Sequence, residues 1–135
     1  MAFADACDRI MALLRTQTWI LQAPNDPPAS ATQFPFAALF PGTGTAVRQN
    51  DAIRQDMHTV HIEIHWAFRD MPRNTGDAKD RIDTLLNLFW GDITLNATVD
   101  TITDIGYEFG PMMWGTLDTL GYIIRLTFKR RVAQT

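Results

Sequence analysis

With one cysteine, Cys7, in 135 residues, no intramolecular disulfide can hold the fold together. The chain must therefore rely on a hydrophobic core, and a chain of this size buries about two thirds of its unfolded surface in one domain. Cys7 falls on the apolar stripe of the first predicted helix, where a free cysteine behaves as a small buried hydrophobe rather than as a nucleophile. The lack of disulfides fits a reducing compartment. Serine is as scarce: Ser30 is the only one, it lies in a proline-rich stretch, and no Gly-x-Ser-x-Gly elbow exists to expose a nucleophile. Gly42-Thr43-Gly44 lacks the lysine and spacing of a phosphate loop and reads as a turn. No apolar run approaches the length of a membrane span. Asp5 and Asp8 interrupt the stretch in which a secretory signal would need unbroken apolar character. Cationic residues are missing from Ile82 to Ile124, which holds six acidic ones, whereas Arg125, Lys129, Arg130 and Arg131 crowd the end of the chain. Together with a net charge of −3, this argues against a general nucleic-acid binder; the uneven distribution reads first as a solvated acidic face and a basic tail, with a surface that must not grip a passing polyanion as the sharper alternative.

What is present is ordinary for a globular protein, with 46% hydrophobic and 20% charged residues. The expected fold is α+β: one domain over 1–135, with two helices packed on one face of a mostly antiparallel sheet of four to five strands. Phe3, Cys7, Ile10, Met11 and Leu14 recur at helical spacing and predict a helix over 2–16, with Asp5 and Arg9 paired outside. Pro24, Pro27 and Pro28 make 24–33 a loop or arm. Phe34–Phe40 reads as a short strand, with Pro35 placing it at a sheet edge or marking the strand's start. The polar stretch 45–56 has no period and reads as a long inter-strand loop. A turn over 69–73 leads to a second helix capped by Asn74 or Thr75, with Ala78, Ile82, Leu85, Leu86 and Phe89 buried and Gly91 ending it in a left-handed conformation. Strands are expected over 93–103, 105–109 and 120–129. Met112, Met113 and Trp114 then fall in a loop, as a lid or a protein contact.

The segment Met57–Phe68 carries the sharpest signal. Val60, Ile62, Ile64, Trp66 and Phe68 alternate with Thr59, His61, Glu63, His65 and Ala67, the pattern of a half-buried strand. One face feeds the core, and the other gathers two of the three histidines with a carboxylate. His61, Glu63 and His65 could hold zinc or non-haem iron with open positions, or could perform acid/base chemistry. Same-face strand residues often splay too far apart for one ion, and His58 has the opposite parity. A polar sheet face that meets solvent or another protein is the competing reading, with histidines as pH-sensitive contacts.

In its order of elements the chain resembles tail-terminator or tail-completion proteins of long-tailed bacteriophages. The likeness lies in the N-terminal helix, the proline-containing strand Phe34–Phe40, the strand HTVHIEIHWAF, the helix ending near Gly91, TLNATVDTI and the closing strand LGYIIRLTFK. The resemblance implies a structural virion protein of the neck, not an enzyme, with no cofactor, assembled in the host cytoplasm. It implies a hexameric ring that caps the tail tube, with the major tail tube protein and the head-tail connector or stopper as partners. Double-stranded DNA would pass non-specifically through the lumen, and no membrane is involved. On that reading Arg48, Arg54, His61, Glu63, His65, Met112, Met113 and Trp114 are interface candidates, and Asp100, Asp104 and Glu108 face the lumen. The alternative from another class is a small enzyme using His61, Glu63 and His65.

Overall fold

A computed structural model describes residues 2–133; Met1, Gln134 and Thr135 of the expected 1–135 domain lie outside the described residues. The element order is α1 (Phe3–Arg15), β1 (Phe36–Arg48), β2 (Ile53–Ala67), α2 (Met71–Trp90), β3 (Thr101–Trp114) and β4 (Leu117–Ala133). The strands form one antiparallel sheet in the order β1-β2-β4-β3. Both helices cover the same face, so the fold is α+β with four strands, as the periodicity predicts. No helix among the described residues is long and apolar enough to cross a membrane.

The core forms where the apolar stripes of the helices meet alternate residues of the strands. Ile10, Met11 and Leu14 of α1, and Leu85 and Phe89 of α2, are fully buried against Val60, Ile62 and Ile64 of β2 and Ile124, Leu126 and Phe128 of β4. Each such side chain contributes about 1.5–3 kcal/mol by leaving water. Phe68 does not join them: β2 ends at Ala67, and Phe68 is 43% exposed. Trp66 is pinned on this face by stacking on Trp19 at 6.0 Å and by donating from Nε1 to Asp77 at 2.8 Å.

Several boundaries differ from the sequence expectation, each for a local reason. Residues 45–56 are not a loop. β1 and β2 pair, past a register shift between Pro41 and Thr43, as far as Arg48↔Arg54, and Asn50 closes the turn by accepting from the amides of Ala52 and Ile53. Every residue from Pro41 to Asn50 is exposed, so neither face of this part of β1 is buried and no alternation marks it as strand. α2 starts at Met71, because Pro72 is tolerated in a first helical turn. Asn74 lies inside that helix, and its side chain donates to the carbonyls of Ala67 and Arg69, tying β2 to α2. Gly91 stays right-handed at φ −77°, and Leu95, Asn96 and Ala97 take the left-handed conformation instead, at φ 47°, 56° and 64°. Residues 93–100 are therefore a turn rather than a strand, with Leu95 and Val99 buried as anchors. Arg9 pairs with Asp92 at 2.8 Å, not with Asp5, whose carboxylate accepts from the Ala2 amide.

Candidate functional site

Strand parity divides the chemistry-bearing residues between two faces. His61, Glu63 and His65 lie on the helix-free face, opposite Phe40, Ala38 and Phe36 on β1 and Arg125, Ile123 and Gly121 on β4. The structure does not bring the three together as one site. His65 is fully buried, with Nε2 2.8 Å from Glu63 Oε1 and Nδ1 2.6 Å from Thr119 Oγ1. An ionised carboxylate only accepts, so Nε2 donates to Glu63, and in the neutral ring Nδ1 accepts from the Thr119 hydroxyl. Both nitrogens are thus committed, and neither is left for a metal. Thr119 is also fully buried, so the Thr119–His65–Glu63 chain satisfies polar groups without presenting a nucleophile to solvent. His61 takes no part in it. Among the described residues no group of three His, Cys, Asp or Glu side chains is placed to hold a metal ion.

The burial of His65 corrects its place among the interface residues, and Trp114 supplies the reason. Met112–Trp114 are not a loop but the end of β3, and the Trp114 indole packs on Phe36, Phe40 and His65 with centroids 4.8, 5.7 and 5.4 Å away. The proline-rich arm passes nearby: Pro27, Pro28 and Ala29 share a cleft with Phe40, Glu63 and Trp114. Gln22 holds the arm's two ends together, its Oε1 accepting from the amides of Thr32 and Gln33. Trp114 is thus part of an aromatic cluster on the helix-free face, and Met113, 59% exposed, lines the same cleft.

His58 sits on the helix-bearing face between Phe3 and Phe128, with ring centroids 4.4 and 5.4 Å away. Burial lowers its pKa below the usual 6.5, with Asp56 pulling the other way and Arg130 reinforcing the drop. Burial, then Asp8, push the Cys7 thiol up to about 11, in keeping with an inert core thiol. Arg48 forms an ion pair with Asp51 at the hairpin turn, and Arg54 pairs with Asp56 at 2.9 Å. Asp104 and Glu108 lie on the helix-free face opposite Thr127 and Ile123; Glu108 accepts from Arg125 at 2.8 Å. Asp100 is an exposed residue of the turn before β3.

The sheet ends in two edges, of which the sequence marked only the start of the first, at Phe34–Phe40. β1 and β3 are the outer strands. Gln22 bridges β1 only at Phe36, and the amide of Ile102 reaches Ile93 at the start of β3. Among the described residues no strand pairs with the outer side of Thr43–Arg48 or of Asp104–Gly110. Each window is bounded by a proline, Pro41 or Pro111, and each strand carries a register shift, between Pro41 and Thr43 and between Ile102 and Asp104. Tyr107 and Phe109 stand on the second window, 50% and 37% exposed. The alternation of Ile105, Tyr107 and Phe109 was the available signal, obscured by Gly106 and Gly110, which read as turn punctuation. The sequence matches no protein-family model and no curated protein.

Proposed function

We propose that the chain is a structural virion protein: a ring, hexameric by resemblance, that caps a phage tail tube, ends its polymerisation and joins it to the head connector, with DNA passing through the lumen. The observation that carries this reading is the pair of bare strand windows on opposite edges of one sheet. Exposed edges invite pairing, and soluble monomers normally cover or charge them. Here strand directions alternate across the sheet, so β1 of a second copy would add antiparallel to β3 of the first, and the same step would repeat. Such a head-to-tail contact uses two different surfaces per subunit and closes into a ring when the rotation per step divides a full turn.

Helices on one face would give this ring two unlike walls. Placed outside, they leave the helix-free face toward the channel, where Asp104, Glu108 and Glu63 stand near Arg125, itself held by Glu108, with Lys129 and Arg131 on the same face nearer the end of β4. Arg125, engaged by its own carboxylate, offers little to a phosphate that slides past. The ring needs no cofactor and performs no reaction.

Native mass spectrometry of the purified protein, with and without chelator, tests the reading. A metal-free ring supports it. A monomer that holds one metal ion tightly would overturn it in favour of a metal-dependent enzyme.

A further inference from the structure

Resting on the ring reading, we infer that the subunits join by a knob-in-groove contact in which Tyr107 and Phe109 of β3 enter a groove floored by Gly44 and Ala46 of β1 in the next copy. Both rings project on the helix-bearing face of the edge strand. Each packs against Tyr122, with centroids 6.0 and 5.0 Å away, and stays 50% and 37% exposed. Exposed aromatics two residues apart on a bare edge are the side chains most enriched at the centres of interfaces.

The opposite edge has the complementary shape on the same face. Gly44 and Ala46 pair with His58 and Asp56, which places them on the helix-bearing side of β1. Around them lies an open groove of about 460 Å³, walled by Phe3, Pro41, Arg54 and His58. Glycine keeps its floor low: a Cβ added at Gly44 would lie 2.9 Å from the Met57 carbonyl oxygen. The groove is too far along the sheet to be filled by the knobs of its own chain, which stand three strands away. A second copy supplies them.

Strand geometry makes the match specific. Antiparallel addition of β1 to β3 keeps the helices of both copies on one side, so Tyr107 and Phe109 fall on the face that carries Gly44 and Ala46. A slip of one residue would turn the incoming copy over and set both rings beside Thr43 and Thr45, so allowed registers differ by two residues. On the helix-free face Asp104 and Glu108 meet the stretch holding Thr43 and Thr45, so no like charges oppose each other across the joint.

A crosslinking experiment in a Cys7→Ser background tests the contact. Ala46→Cys and Tyr107→Cys, both at exposed positions, are prepared singly and together and treated with a short bismaleimide that spans a two-residue change of register. The double variant should give a ladder of covalent oligomers, and neither single variant should crosslink to itself. Ala46→Trp, which fills the groove, should weaken association by about thirtyfold or more while leaving the monomer folded. A double variant that forms wild-type oligomers by native mass spectrometry yet gives no ladder would overturn this contact and leave the ring standing. Wild-type oligomerisation by Ala46→Trp would do the same. A wild-type chain that stays monomeric overturns the ring and the contact together.

Discussion

Substituting Gly121 by alanine should damage the fold more than its small size suggests. Gly121 lies at the centre of the sheet, paired with His65 on β2 and Gly110 on β3. A Cβ there would sit 1.8 Å from the Ile64 carbonyl oxygen and 3.2 Å from the His65 Cα. To reach ordinary contact near 3.4 Å, the β2–β4 pair must open by about 1.6 Å. The obstacle is the backbone of β2, so no side chain can rotate away. Overpacking typically costs about 1–3 kcal/mol, and prying apart a central ladder adds lost hydrogen bonds, so a loss of at least about 3 kcal/mol is expected. That is a large share of the roughly 5–15 kcal/mol stability of a domain. Urea unfolding followed by tryptophan fluorescence should place the midpoint about 1–3 M lower. Gly110→Ala is the control: it faces Gly121 across the ladder, but a Cβ there meets nothing within 4 Å. That variant should stay within about 1 kcal/mol of wild type, on the stabilising side. If Gly121→Ala unfolds at the same urea concentration as Gly110→Ala, the close approach of β2 and β4 is not what the structure describes.

Thr119→Val removes the hydroxyl that His65 Nδ1 needs inside the sheet, and leaving that nitrogen unsatisfied should cost about 1–3 kcal/mol in the same urea assay; an unchanged midpoint would refute the buried chain. Ala97→Gly should have the opposite sign, because Ala97 holds φ 64° and glycine relieves the left-handed strain; thermal melting about 2–4 °C higher is expected, and a lower melting temperature contradicts it. Burial lowers the His58 pKa below 6.5, so the unfolded chain takes up that proton first as the pH falls. Stability should therefore decline on acidification from 6.5 down to the folded-state pKa, with no contribution from His58 above 6.5. His58→Phe should flatten that part of the stability profile, and an unaltered profile would exclude His58 as its source.

The helices were legible because each buries one stripe, which writes a 3.6-residue period into Ile10, Met11, Leu14, Leu85 and Phe89. β2 and β4 were legible for the same reason at period two. β1 beyond Phe40 was not, since a strand exposed on both faces carries no alternation and is held only by its neighbour's backbone. β3 was cut short on paper by Gly106, Gly110 and Pro111, residues that an edge strand tolerates because its outer side has no partner to lose. The polar alternation of β2 correctly put His61, Glu63 and His65 on one face, yet could not say which would be covered.

The sequence by itself determined which residues face inward, the α+β class and the helix-free character of one sheet face, because burial acts locally and leaves a period. Only the tertiary structure decided that Trp114 and Thr119 seal His65 away from solvent, and that Tyr107 and Phe109 stand on an open edge opposite a groove of small residues. Those outcomes depend on pairings between segments far apart in the chain, and no local period records which strand lies beside which.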